Sequence, residues 1–291
     1  MIDFDGRRLT GANFFCDGPA VVIDASFAIA EQQEIVRRWA EAVLHLLAEL
    51  GRPEPEVIGH RIHDLGQSFF FTAEIDALYS SIDLAEAALN IALDAKAQLS
   101  VEYYQSLISN KRSSLNTGFE EESSPALLAL QAKAKQQNAP FLWDDDFVSL
   151  GYGLSASVWP VDEVPAIDGN LNWSQYCAIP VAFVTGTNGK STTTRLASQI
   201  LRGSGVTVGF SSTDGIWAGD ECLDRGDYSG PGGAREVLRN PKVNAAILEV
   251  ARGGMLRRGL GAEKADVALI TNVAEDHLGE YGVNTLAELI E

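Results

Sequence analysis

The chain has 291 residues, of which 46% are hydrophobic, so it has room for one large or two ordinary globular domains. Its 22 basic and 40 acidic residues give a net charge of -18, which repels polyanions and argues against nucleic-acid and anionic-membrane partners. The three cysteines are widely spaced without a CxxC pair, and no apolar run approaches the roughly 18 residues of a membrane span, so we expect a cytoplasmic protein without an export signal.

The N-terminal part mixes strands and helices without a repeating βα rhythm, which predicts an α+β domain. Residues 19–24 are a short β-branched run, and apolar residues within 30–50 recur at helical spacing. Two strands separated near Gly66 come next, followed by one long Ala/Leu-rich helix over 82–108. The polar stretch 110–125 is rich in Ser and Glu and has no period, so we expect a mobile loop there.

The composition changes in the stretch that contains Pro160, Pro165 and Gly169, and we place the domain junction there. Beyond it, short continuous apolar strands alternate with helices, which is typical of a parallel sheet covered on both faces. The predicted domains are therefore 1–160, of α+β class, and 175–291, an α/β domain with a parallel sheet flanked by helices.

The segment AFVTGTNGKSTTTRLASQIL, residues 182–201, places a glycine-rich turn between a buried strand and an amphipathic helix. Such a turn aims unpaired backbone N–H groups and the positive end of the helix dipole at one point, as a phosphate requires. Lys190 would reach the β and γ phosphates, and the hydroxyl of Ser191 would complete a magnesium site. The strict pattern GxxxxGK[ST] needs Gly where Val184 stands, so a turn that only tightens strand–helix packing is the alternative.

Two later strands end in polar side chains that suit phosphate transfer. Glu249 ends the strand NAAILEV, where it would be either a magnesium ligand or a member of a structural salt bridge. Asn272 and His277 follow the next strand, at the sheet edge where ligands gather. For His277, a hydrogen-bonded surface role is the alternative.

Five segments occur in a fixed order: VTGTNGKSTTTRL, STDGI, GPGGAREVL, AAILEVARGGMLRRGLG and LITNVAEDHLGEYGVNTLAELI. Together they resemble the central ATPase domain of the Mur ligase family, nearest the ligase half of the cyanophycin synthetases, from about residue 181 onward. That family uses the shorter form TGTNGK[ST], which accommodates Val184. The segments RRLTGANFF, PAVVID and LGYG are similar to the opening domain of the cyanophycin synthetases, and the junction leaves no room for their ATP-grasp domain.

The resemblance implies roles for individual residues. The ATP phosphates would be held by Gly186, Thr187, Asn188, Gly189, Lys190, Ser191 and Thr192, with Asn272 at the nucleotide. Ser191 would bind a first Mg²⁺, and Glu249 and His277 would bind a second. The expected catalytic residues are Lys190, Glu249 and His277. Substrate contacts would come from Asp214, Arg252, Arg257 and Arg258, with surface solubility as the alternative for the three arginines.

The implied chemistry is an ADP-forming carboxylate–amine ligation through an acyl phosphate, with ATP and Mg²⁺, on an amino-acid polymer or peptide. The N-terminal domain would bind substrate or assist assembly, and a homo-oligomer is one assembly that we consider. The family's chain continues well beyond the DHLG segment, so we expect an apparently truncated central domain. The alternatives are a non-catalytic nucleotide-binding module or partner subunit that lacks the closing C-terminal domain, and a P-loop kinase acting on a hydroxyl.

Overall fold

The computed structural model describes residues 4–26, 32–63, 66–167, 171–280 and 283–290. The chain forms two compact units, and each is built from two stretches of sequence. The first unit comprises Met1–Leu9 and Gly18–Ser124, and the second comprises Thr10–Asp17 and Pro125–Glu291. The chain therefore passes from the first unit to the second twice.

The boundary after Ser124 differs from the predicted domain junction, because residues 125–160 pack with the second unit. A buried arginine accounts for part of this packing. The guanidinium of Arg239 donates to the Ser149 hydroxyl at 3.3 Å and to the Phe147 carbonyl at 2.9 Å. It also pairs with the carboxylate of Asp144. A buried charge is costly without such partners, so these contacts tie the segment to Arg239.

In its described residues, the first unit is a four-stranded antiparallel sheet in the order β1-β2-β4-β3, accompanied by three α-helices. Its elements are β1 (Phe4–Leu9), β2 (Ala20–Ala25), α1 (Gln32–Glu49), β3 (Ile58–His63), β4 (Gly66–Thr72), α2 (Leu78–Leu93) and α3 (Val101–Glu122). The predicted periodicity of α1 is confirmed, because its buried face includes Trp39, whose ring lies 5.1 Å from that of Phe69. This unit has the predicted α+β class.

The helix predicted over residues 82–108 is two helices, because local side-chain hydrogen bonds turn the chain between α2 and α3. The carboxylate of Asp94 accepts the backbone N–H groups of Lys96 at 2.7 Å and Ala97 at 3.2 Å. Ser100 then caps α3 by accepting the N–H of Tyr103. Asp and Ser side chains favour such turns and caps over a helix interior.

The prediction of a mobile loop at 110–125 is wrong, because most of these residues lie in the C-terminal half of α3. Three apolar side chains at helical spacing, Ile108, Leu115 and Phe119, are buried, whereas the polar residues between them face solvent. The carboxylate of Glu122 also accepts the backbone N–H groups that begin α2. Tertiary packing of a narrow apolar stripe thus stabilises a helix whose composition is typical of a loop.

The second unit contains two sheets and five α-helices in its described residues. Its elements are α4 (Pro125–Gln137), β5 (Phe141–Trp143), β6 (Phe147–Leu150), β7 (Ser157–Pro160), β8 (Val181–Thr185), α5 (Lys190–Arg202), β9 (Val208–Ser212), β10 (Gly215–Ala218), β11 (Glu221–Asp224), α6 (Pro231–Arg239), β12 (Ala245–Glu249), α7 (Arg252–Arg258), β13 (Val267–Ile270) and α8 (Leu286–Ile290). The strands β5, β6 and β7 form a small antiparallel sheet.

The larger sheet has the order β11-β10-β9-β12-β8-β13. Its strands β9, β12, β8 and β13 are parallel, and β10 and β11 extend one edge in antiparallel fashion. The predicted parallel sheet is confirmed, with this antiparallel edge as an addition. Because β8 lies between β12 and β13, the turn after β8 is flanked by the residues that follow those two strands.

Helices cover both faces of the sheet over its central strands. Ile247 of β12 packs in one apolar cluster with Ala197 of α5, and its neighbour Leu248 packs in another with Val237 of α6. Successive strand residues point to opposite faces, which explains why β12 is an uninterrupted apolar run up to Glu249. In the part of the chain that the structure describes, no helix is both long and apolar enough to cross a membrane.

Candidate nucleotide-binding site

The turn between β8 and α5 adopts a conformation that only glycine accommodates easily. Gly186 has a φ of +127° and Gly189 a φ of +83°, in the region that other residues rarely adopt. Gly189 is the N-cap of α5 and makes no side-chain capping bond. The first backbone N–H groups of a helix have no acceptor within the helix, so those of α5 are available to an anion.

The residues that follow β13 hold this turn in place through several hydrogen bonds. The N–H of Thr187 donates to the Asn272 carbonyl at 2.9 Å, and the N–H of Asn188 donates to the Asn272 side-chain oxygen at 3.1 Å. The Asn272 amide nitrogen donates back to the Asn188 carbonyl at 2.9 Å. The hydroxyl of Thr271 donates to the same carbonyl at 2.7 Å. Asn272 therefore fixes the loop, whereas contact with the nucleotide stays a prediction.

Lys190 folds over the loop at the start of α5. Its Nζ donates to the carbonyls of Gly186 at 2.9 Å and Thr187 at 3.1 Å. Both acceptors belong to the turn itself, so the ammonium lies beside the amides that would contact a phosphate. The role of Lys190 as a phosphate-binding lysine stays a prediction.

Glu249 presents a buried carboxylate at the tip of β12. Its side chain is only 1% exposed. The Oε2 atom accepts the backbone N–H of Thr213 at 3.3 Å, whereas Oε1 is buried and has no hydrogen-bond partner in the described part of the chain. Burial raises the pKa of this carboxyl, against the lowering influence of Ser191, Thr213 and Lys190. An unpaired buried carboxylate oxygen is costly, and a cation would remove that cost.

The oxygen atoms around Glu249 suit magnesium. The Ser191 hydroxyl lies 2.8 Å from the Thr213 hydroxyl, so α5, β9 and β12 bring two hydroxyls and one carboxylate together. Among the described residues, no three His, Cys, Asp or Glu side chains converge to hold a metal by themselves. Mg²⁺ commonly binds through one or two protein oxygens, with phosphates and waters as its remaining ligands. Glu249 and Ser191 therefore fit a magnesium ion that a nucleotide brings with it.

His277 lies in an exposed turn after β13. Its φ is +50°, and 69% of its side chain is exposed. The imidazole lies 3.6 Å from the carboxylate of Glu280 and 3.9 Å from that of Asp276, and the carbonyl of His277 accepts the guanidinium of Arg252. The role of His277 as a ligand to a second magnesium stays a prediction.

The predicted substrate residues occupy different surroundings. Asp214 forms an ion pair with Arg195 of α5 at 3.0 Å. Arg252 is the first residue of α7, and its Nη1 atom is buried without a hydrogen-bond partner among the residues that the structure describes. Arg257 and Arg258 are exposed in the last turn of α7. The Nη2 atom of Arg252 lies 3.9 Å from the Glu280 carboxylate, so Nη1 is the nitrogen of this side chain that an added anion would reach.

Two residues of this region were missed by the sequence analysis. Thr213 directly follows β9, just as Glu249 ends β12, so the strand-end pattern contained a signal for it. Asp227 follows no parallel strand, and its position depends on tertiary contacts. The Tyr228 N–H donates to the Ser212 carbonyl at 2.9 Å, and the Ala251 N–H donates to the Ser229 carbonyl at 3.0 Å. These bonds hold the segment after Asp227 at the carboxyl ends of β9 and β12. The negative charge of Asp227 helps to raise the pKa of Glu249.

Replacing each loop glycine with alanine provides a matched pair of predictions. A Cβ at Gly186 would lie 2.2 Å from the Thr271 hydroxyl oxygen and 2.8 Å from the Asn272 carbonyl oxygen, whereas a Cβ at Gly189 meets nothing within 4 Å. We expect Gly189→Ala to cost only the backbone strain of about 1–2 kcal/mol. Gly186→Ala adds a clash with backbone and should cost more. Chemical denaturation checks this order, and equal losses would contradict the geometry.

Comparison with known proteins finds relatives for the part of the chain that contains this loop and Glu249. Residues 184–288 match the family model of the Mur ligase middle domain. The cyanophycin synthetase of Geminocystis herdmanii is 49% identical over 125 residues, which cover 43% of this chain and 14% of that protein. That of Synechocystis sp. is 50% identical over 111 residues, which cover 38% of this chain and 13% of that protein.

More distant similarity extends to other ligases. The UDP-N-acetylmuramoylalanine--D-glutamate ligase of Psychrobacter arcticus is 27% identical over 120 residues, covering 41% of this chain and 21% of that protein. The predicted resemblance to the Mur ligase middle domain and the cyanophycin synthetases is confirmed. The matched regions span only 12% to 16% of the length of the cyanophycin synthetases.

Proposed function

We propose that this chain carries the ATP-binding part of an ATP-dependent carboxylate–amine ligase that acts on an amino-acid polymer or peptide. One observation carries the proposal: a glycine loop with a helix N-terminus and Lys190 lies beside a buried carboxylate, Glu249, whose Oε1 atom has no partner within the described ranges. The similarity of this segment to ligases supports the reaction class.

The loop would bind the triphosphate of ATP. Lys190 would exchange the carbonyls of Gly186 and Thr187 for phosphate oxygens, and the first amides of α5 would donate to the same group. Two anions have to meet when a carboxylate attacks the γ-phosphate. The positive charge of Lys190 offsets their repulsion, and it stabilises the charge that moves onto ADP as it leaves.

Glu249 and Ser191 would hold magnesium beside the phosphates. When bound, the ion neutralises phosphate charge and orients the oxygens for in-line transfer. Thr213 would aim the Glu249 carboxylate, because its N–H engages Oε2 and leaves Oε1 for the ion. His277 is proposed as a further ligand on the strength of the resemblance alone.

Arg252 would hold the carboxylate that becomes phosphorylated, through its unpaired Nη1. Phosphorylation converts that group into an acyl phosphate, whose carbonyl carbon an amine attacks as phosphate leaves. Asp214 and Arg257 are proposed as weaker contacts to the substrate. The first unit is proposed to bind substrate or to assist assembly.

The proposal is tested by ADP release from Mg-ATP with cyanophycin as the polymer and each protein amino acid as the amine. We expect release that requires a carboxylate substrate, and a hydroxamate when hydroxylamine replaces the amine. ATP binding without carboxylate-dependent release would favour a non-catalytic nucleotide-binding module. A phosphate ester without hydroxamate would favour a kinase acting on a hydroxyl.

A further inference from the structure

A short N-terminal segment belongs to the ligase-like unit although its flanking strands do not. Residues Thr10–Asp17, which we name the strap, lie in the second unit, whereas β1 before them and β2 after them lie in the first. The N–H of Thr10 donates to the Arg258 carbonyl at 2.9 Å, and the N–H of Leu260 donates to the Ala12 carbonyl at 2.8 Å. The strap is thus bonded to the turn that ends α7.

The Thr10 side chain joins two helices of this unit. Its hydroxyl accepts the guanidinium of the buried Arg235, on α6, at 2.5 Å and donates to the Arg258 carbonyl at 3.3 Å. The same guanidinium also donates to the Thr10 carbonyl at 3.4 Å. One hydroxyl therefore couples a buried cation on α6 to the last turn of α7.

Two glycines make this contact close. A Cβ at Gly11 would lie 2.4 Å from the Leu260 carbonyl oxygen. Gly259 has a φ of +83°, and a Cβ there would meet the Gly11 and Ala12 carbonyl oxygens at 3.1 Å. Backbone packs directly on backbone, so a side chain at Gly11 would clash, and one at Gly259 would be both crowded and strained by the positive φ. The strap and the end of α7 are shaped to fit each other.

The other end of α7 reaches the proposed substrate site. Helix α7 has only seven residues, so its position depends on how its two ends are held. Its N-terminal end is held at the N-cap, Ala251, whose N–H donates to the Ser229 carbonyl. Arg252 is the first residue after this N-cap. A shift of α7 would therefore move the buried Nη1 of Arg252, for which the described residues offer no hydrogen-bond partner, relative to the substrate carboxylate.

We propose that the strap positions Arg252 for the carboxylate substrate, with Thr10 as a positioning residue that acts through Arg258 and α7. This inference rests on the proposed ligase function. It makes the N-terminal segment part of the substrate side of the site, whereas the ATP side depends on the loop after β8.

The test compares Thr10→Val, which removes the hydroxyl at constant shape, with Thr10→Ser, which retains it. We expect Thr10→Val to raise the KM for the carboxylate about tenfold, the scale of the net contribution of one hydrogen bond, with ATP affinity unchanged. Thr10→Ser should behave like wild type. Thr117→Val is the matched control, because that hydroxyl bonds only locally, to the Ser113 carbonyl in α3. Gly11→Ala should shift the KM in the same direction as Thr10→Val.

Hydrogen exchange of residues 252–261 separates this inference from the proposed function. Thr10→Val should speed exchange there, and Thr10→Ser should not, even in a chain without turnover. If wild type shows no carboxylate-dependent ADP release but Thr10→Val still speeds exchange of residues 252–261, the ligase proposal is refuted and the contact of the strap with α7 is supported. A wild-type KM and wild-type exchange in Thr10→Val would refute the strap inference alone. Equal losses of ATP affinity and carboxylate affinity would also overturn it, because they indicate general loosening.

Discussion

Lys190→Ala should lower the affinity for ATP at least about 100-fold, because hydrogen bonds to charged groups contribute roughly 1.5–3 kcal/mol each and this ammonium would make more than one. Its present acceptors, the carbonyls of Gly186 and Thr187, are only half-buried. Water can replace the lost donor there, so the free energy of unfolding should change little. Isothermal titration with ATP and ADP measures the first effect, and chemical denaturation measures the second.

Lys242→Ala is the control for removal of one positive charge. The Nζ of Lys242 pairs with Glu221 at 2.6 Å, and both side chains are more than half exposed. Its loss should leave ATP affinity unchanged, since exposed pairs contribute little. Lys190→Arg should not restore binding, because a planar guanidinium does not fit a loop that accepts a compact ammonium. Wild-type affinity in Lys190→Ala would mean that the loop is only a packing turn.

Glu249→Gln should lower magnesium-dependent turnover at least about 100-fold, because metal charge stabilisation is worth several kcal/mol. The amide keeps the size of the side chain and can still accept the Thr213 N–H, so the change isolates the charge. Turnover against magnesium concentration measures this effect. Glu236→Gln, on the exposed face of α6, is the control and should show wild-type magnesium dependence.

The same variant should not lose stability in the absence of magnesium. Burial raises the pKa of Glu249 in the folded protein. Ionisation of Glu249 therefore lowers the free energy of unfolding. This penalty is absent below the unfolded-state pKa, and it is fully present once the pH exceeds the raised folded-state pKa. Glutamine removes the penalty, so metal-free Glu249→Gln should be as stable as wild type or more so at neutral pH.

Loss of stability without loss of magnesium dependence would mean that the Glu249 carboxylate has a structural role. A Glu249→Gln protein that unfolds more easily but keeps its magnesium dependence would support the salt-bridge alternative. The free Oε1 argues against that alternative, because a buried salt bridge is favourable only when its remaining polar atoms are also satisfied.

The parts of the site that the sequence predicted are those whose groups are neighbours in the chain. The strand β8, the loop with Gly186 and Gly189, and the helix α5 follow one another without interruption. Their conformation depends on local properties: apolar runs, glycine at positive φ and a helix N-terminus. The position of Glu249 at a strand end could also be predicted from the sequence, because it is the one polar residue that ends an otherwise apolar strand.

Predictions failed where packing overrides local preference. Residues 110–122 read as a loop because Ser and Glu dominate, yet three buried apolar side chains and the capping of α2 by Glu122 make them helical. The helix predicted over 82–108 was interrupted by the turn at Asp94, whose carboxylate competes with the helix for backbone amides.

The sequence by itself predicted the glycine-rich turn after β8, the apolar strands around it and the roles proposed for Lys190, Ser191 and Glu249, because each prediction depends on residues close in the chain. Only the tertiary structure decided that Asn272 holds the loop and that Thr213 orients Glu249. It also decided that Thr10 bonds to the end of α7. The physical reason is that hydrogen bonds between distant segments depend on strand order and helix packing, and neither leaves a periodic signal in the sequence.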